Sequence, residues 1–155
     1  MNQYNKDTYY DLKTQEDIDQ FLDKMLNMHD ALIKEVVIIH RGYVDENNCM
    51  WGDAGEIDVR VIIQSQFSEV SSCELICKDV KQVNIQSDTA FEPRAVVDDD
   101  GLISIYFKEY MSSVPFMIKN AKSVKVRFLG RDCIGPGPFT VDPIELDEDE
   151  RYGHE

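Results

Sequence analysis

The chain has 155 residues, 43% of them hydrophobic, enough for one domain with its own core, since a domain of ~150 residues buries roughly 70% of its unfolded surface. Its formal charge is −14, from 30 acids against 16 bases. A field of that sign repels phosphate backbones and anionic lipid, which argues against nucleic-acid and membrane binding and in favour of a basic protein partner.

Residues Met1 to Lys13 are polar with tyrosines interspersed and lack an apolar h-region, so the expectation is a mobile N-terminal arm without a secretory signal, its tyrosines able to pack on the domain. Thr14 followed three residues later by Asp17 resembles a capping box with Asp in place of Glu. Ile18, Phe21, Leu22, Met25 and Leu26 then follow the spacing of one helical face, which predicts a helix ending near Asn27 or Met28. His29-Asp30 is left as the turn into a strand over Ala31 to Val44, where β-branched residues dominate. Both faces of that segment are partly apolar, which predicts a central strand covered by the helix.

Asp45 to Asn48 is a turn signal, and Trp51, the single tryptophan, lies just beyond it. Glu56 to Gln64 alternates cleanly, with Ile57, Val59, Val61 and Ile63 on one face. Cys73 to Cys77 and Val80 to Ile85 read as two strands or one bent strand, with a bulge or turn at Lys78-Asp79. Ala95 to Val97 and Leu102 to Phe107 flank a DDDG turn whose Asp100-Gly101 suits positive φ. Val114 to Ile118 and Ser123 to Leu129 supply the last strands. The run GPGPF cannot pair regularly and reads as a rigid connector. The segment Asp142 to Glu155 carries seven acids and one arginine, a local charge of −6 that leaves −8 for the rest. The pattern predicts an α+β domain over residues 14–141, with one N-terminal helix packed on a mainly antiparallel sheet curled into a sandwich or open barrel, between the arm 1–13 and the acidic tail 142–155. No run is long and apolar enough to span a bilayer, so a soluble cytoplasmic chain is expected.

Cys49, Cys73, Cys77 and Cys133 are expected to be free thiols, acting as small buried hydrophobes. The CxxxC pair, Cys73 and Cys77, would sit on one strand face ~13 Å apart, too far for a bridge, and no second pair or nearby histidine completes a zinc site. His29-Asp30 is the sharpest local feature, because a carboxylate beside an imidazole can orient it as a general base or help it hold a metal. The helical metal phosphohydrolases that carry such a doublet need more histidines than His40 and His154 supply, so neither a catalytic set nor a metal site nor a cofactor is expected, and the pair reads as a structural turn. No GxSxG elbow, phosphate loop or calcium-loop spacing occurs. One basic concentration, Lys119 to Arg131, places Lys125 and Arg127 outward together, as a solvated face, a seat for the acidic tail or an anion site.

The passage from Phe21 through HDALIKEVVI, with VRVIIQSQF and CELICKDVKQVNI, resembles a group of small bacterial β-rich proteins of unassigned or toxin-immunity type. The matching positions are Met28, His29, Asp30 and Ala31 before the first strand and Glu74, Leu75, Cys77 and Val80 in a later one, although Cys77 replaces an aromatic residue and the tail lies outside the pattern. The resemblance implies a non-enzymatic protein that neutralises a cognate toxin by binding it. The expected function is therefore protein interaction, as an immunity-type inhibitor of a basic toxin. The alternative is a small-ligand-binding or hydrolytic domain with a pocket at the helix-to-sheet junction near His29, Asp30 and Trp51.

Overall fold

A computed structural model describes residues 7–52, 57–85, 93–108 and 116–139; the acidic tail and the first six residues of the arm lie outside these. In chain order the elements are β1 (Tyr10–Asp11), α1 (Gln15–Lys24), a short 3-10 turn (Leu26–Met28), β2 (Ala31–His40), β3 (Tyr43–Val44), β4 (Met50–Trp51), β5 (Ile57–Ser65), β6 (Ser72–Val80), β7 (Gln82–Asn84), β8 (Arg94–Val97), β9 (Ile103–Lys108), β10 (Phe116–Ala121), β11 (Ser123–Phe128) and a 3-10 turn (Gly130–Cys133). The strands form a five-stranded sheet, β1-β11-β6-β5-β2, a four-stranded sheet, β7-β10-β9-β8, and a separate ribbon, β3-β4, all antiparallel. This is the α+β architecture that the patterning predicts, with no closed barrel.

Two bent strands join the sheets. β6 runs through Lys81 into β7, and β10 runs through Lys122 into β11, with β7 paired to β10 and β6 to β11, so one long antiparallel pair begins in one sheet and ends in the other. The corner is tied by Lys81 N–H donating to the Lys119 carbonyl at 3.1 Å and Lys122 N–H donating to the Lys78 carbonyl at 2.9 Å. Each strand turns the corner at one left-handed residue, Asp79 (φ 51°) and Asn120 (φ 56°), residue types that tolerate this region. The bulge expected at Lys78-Asp79 is therefore the bend of one continuous strand. Inward-facing Val59, Val61, Ile63, Leu75, Val124 and Val126 from the first sheet meet Ile103, Ile105, Phe107 and Ile118 from the second in one core.

The capping box at Thr14 is present. Asp17 N–H donates to Thr14 Oγ1 at 3.1 Å, and the Asp17 carboxylate accepts from the backbone N–H of Lys13 and of Thr14, which lowers its pKa. Ile18, Phe21 and Leu22 are buried, as the periodicity requires. The Gln15 side chain bridges to β8, donating to the Ala95 carbonyl at 2.9 Å and accepting from Val97 N–H at 3.0 Å, while Phe21 packs on Phe128 of β11. The helix thus lies against β8 and β11 and closes that side of the sandwich, where the sequence pattern predicts a cover over β2.

Three further expectations are corrected. β2 pairs with β5 alone among the described strands, so it is an edge strand. Leu26 does not continue the helical face: it is exposed, and Leu26, Asn27 and Met28 form a left-handed turn at φ 52°, 49° and 55°. Such geometry costs ~1–2 kcal/mol per non-glycine residue, and full burial of Met25 just before the turn and of Met28 within it offsets it. The arm is not wholly free, because Tyr10 and Asp11 pair with Val126 and Lys125 as an edge rung of the larger sheet. No helix among the described residues is long and apolar enough to cross a membrane.

Candidate functional site

The outward face of the five-stranded sheet carries the densest set of ionisable groups. Strand alternation puts Arg60 (β5), Glu74 (β6) and Arg127 (β11) on this face, on three adjacent strands. Glu74 is 1% exposed, and both of its oxygens are engaged. One accepts from Tyr9 Oη at 2.7 Å and pairs with Arg127 at 3.1 Å; the other meets the Arg60 guanidinium through two nitrogens. The Arg127 guanidinium also lies over the Tyr9 ring, 4.8 Å from its centroid. Burial and the hydrogen bond to Glu74 push the Tyr9 phenol up to about 12, so it stays a proton donor. A carboxylate so fully occupied binds strands together and has no lone pair to offer a substrate. Sequence reasoning missed Glu74 as a centre, although a single acid inside the apolar run CELIC is a signal that a basic partner must lie across the sheet.

A second buried acid, Asp58, is 0% exposed and occupies the bulge where β5 meets the bend of β6. It accepts from Asp79 N–H at 3.1 Å and pairs with Arg41 at 3.3 Å, and Arg41 reaches on to Asp79. The alternation pattern predicts Asp58 on an outward face; the face is right, and the solvent is replaced there by Arg41. This group, too, is a clamp.

The connector after β11 crosses the same outward face. Ser72 Oγ donates to the Gly130 carbonyl at 2.6 Å, Gln64 Nε2 donates to the carbonyls of Cys133 and Gly135 at 2.8 and 3.0 Å, and Phe139 N–H donates to Glu35 Oε2 at 2.6 Å. Residues 130–139 therefore form a strap running from β6 over β5 to β2, and Ile62, in the outward row between Glu35 and Glu74, is buried. Cys133 in the strap has its thiol pushed up, first by burial and then by the Glu74 charge. Cys73 and Cys77 face the core as expected, and burial pushes the Cys77 thiol up to about 12; Cys49 is exposed, contrary to expectation, because it sits in the β3-β4 turn.

The residues singled out from the sequence fall in separate places. The His29 side chain, 82% exposed, pairs with its neighbour Asp30 at 3.1 Å. His29 is extended at φ −63°, Asp30 has φ 53°, and the Asp30 carbonyl accepts from Gln66 N–H, so the doublet is the turn that leads from α1 into β2. Lys125 stands on β11 opposite Asp11, partly exposed, whereas Arg127 is drawn onto Glu74 and is not part of an open basic stripe. Trp51 lies on the β3-β4 ribbon, where its Nε1–H donates to Asp45 Oδ2 at 2.7 Å.

A small cleft between the two sheets, about 10 Å³ and so with room for little more than one water, opens between Val36 and Val61 on one side and Val83, Phe107 and Ile118 on the other. Asn84 is its one polar lining residue, and neither His29, Asp30 nor Trp51 lines it. Among the described residues no three His, Cys, Asp or Glu side chains are placed to hold a metal ion.

The ribbon is locally locked. Asp45 accepts from the N–H of Asn47 and of Cys49, both at 2.9 Å, besides Trp51, and these bonds lower its pKa, the Trp51 bond most. At the base, Gly42 N–H donates to His40 Nδ1, and a Cβ at position 42 would come within 2.7 Å of that ring and 3.0 Å of the Trp51 carbonyl, so a side chain there would displace the His40 ring. Val44 is 59%, Met50 81% and Trp51 48% exposed on this ribbon. No family model matches the chain, and neither a curated protein nor a solved structure matches it.

Proposed function

We propose that the protein is a non-catalytic interaction protein that acts as an immunity-type inhibitor, neutralising a basic toxin by binding it. The observation that carries this reading is the charge of −14. Three arginines, Arg41, Arg60 and Arg127, are turned onto the buried or half-buried acids Asp58, Asp79 and Glu74, so these six charges cancel within the fold and the full excess of acid is carried by the other residues. A surface of this sign accelerates encounter with a cationic protein and rejects anionic competitors.

The test is to express the basic polypeptides encoded beside this chain, alone and with it. One of them is expected to arrest growth alone and to be silenced by co-expression, through a complex that survives size-exclusion chromatography and whose association rate falls steeply with salt. Absence of both protection and complex formation for every such neighbour overturns the reading.

A further inference from the structure

The geometry points to the β3-β4 ribbon as the docking element for a lysine- and arginine-rich partner segment that carries apolar anchors. The inference rests on the reading that the protein binds a basic partner, and it names where.

Three independent observations converge on the ribbon. First, its apolar side chains are out of the core. Tyr43 and Trp51 are direct cross-strand partners and so are Val44 and Met50, which places one pair on each face of a two-stranded ribbon. Exposed residues scattered singly are ordinary; Val44 and Met50, paired across the strands on one face with Tyr43 and Trp51 on the other, leave both faces of one short ribbon apolar and out of the core.

Second, the ribbon is ordered before any partner arrives. A two-stranded hairpin on its own is marginal in water, yet here Asp45 gathers three donors, Asp45 N–H donates to the Cys49 carbonyl at 2.9 Å, and His40 braces the base. Binding then pays little ordering entropy.

Third, the charge around it has one sign. The described residues from Gly42 to Gly52 hold two acids, Asp45 and Glu46, and no lysine or arginine, and Arg41, which precedes them, is committed to Asp58 and Asp79. Glu46 at the turn is exposed. An apolar patch with an acidic rim selects a cationic segment with apolar anchors over a purely apolar or an anionic one.

The experiment titrates the full chain with three peptides of equal length, alternating Leu-Lys, alternating Leu-Glu and oligolysine, following Trp51 emission and backbone amide shifts. The Leu-Lys peptide is expected to bind saturably with shifts concentrated on residues 43–51, oligolysine about tenfold more weakly, and the double variant V44S/M50S to lose about tenfold in affinity for Leu-Lys. Both side chains are exposed, so the variant keeps its fold, which its amide spectrum verifies. If Leu-Lys and oligolysine bind alike, with shifts spread over the acidic surface and indifferent to V44S/M50S, the ribbon is excluded while the basic-partner reading stands. If Leu-Glu binds the ribbon as well as Leu-Lys, the preference for a basic partner fails, and with it the reading beneath. No response to any of the three overturns the proposal.

Discussion

Glu74 shows how one residue can hold three strands. Its carboxylate is buried at a point where Arg60, Arg127 and Tyr9 converge, so its desolvation is offset only while all of them stay in place. Replacing it by glutamine keeps the shape and removes the charge, leaving two half-buried guanidinium groups facing a neutral amide. Glu74→Gln is expected to cost about 3 kcal/mol in a denaturant titration, well above what an exposed pair contributes; a loss below ~1 kcal/mol would mean that water already solvates both arginines. The types and positions of Arg60 and Arg127 were legible as outward-facing members of alternating strands. Their convergence was not, because it depends on β11 pairing with β6 across a long excursion of chain, and alternation reports the face of a residue without its neighbours.

At the scale of elements, the β3-β4 ribbon is the piece whose order is most exposed to solution conditions. The hydrogen bonds from Trp51, Cys49 and Asn47 favour ionised Asp45, so its folded pKa lies below the unfolded one. The order it contributes is complete above the unfolded carboxylate range, near pH ~4, and is lost as pH falls through the lowered folded value. Trp51 is the only tryptophan, so acidification below the carboxylate range is expected to red-shift its emission while core signals persist. Asp45→Asn, which keeps an acceptor oxygen, should flatten that acid dependence; an unchanged titration in the variant would assign it to another group. The helix shows the opposite degree of legibility: the capping box, the i, i+3, i+4 spacing and the start at Gln15 are all local, and all three appear. β2 misled because apolar character on both faces has two sources. One face meets the core, and the other lies where the strap ends on Glu35, so a strand can look central while its edge is open.

For the whole molecule, the strap matters because it ties the C-terminal end of the described chain to the far edge of the sheet. Gln64→Ala removes two amide bonds to it, and the freed segment is expected to expose Cys133, raising its modification rate by a thiol reagent about tenfold for ~1.4 kcal/mol of lost restraint. Exposed Cys49 supplies an internal reference whose rate should not change, and buried Cys73 and Cys77 should stay inert. If the Cys133 rate is unaltered, the strap is held elsewhere. The bent antiparallel pair that unites the sheets has a consequence in time. It pairs residues as distant as Cys73 and Phe128, and even its closest rung joins Asn84 to Met117, so the chain between must be looped out before either sheet has its centre. Local structure such as the capped helix can flicker into place early, but it has nothing to rest on until that loop closes. Folding of this chain belongs to the slow, non-local class, in milliseconds to seconds, and both sheets are expected to become stable in a single step.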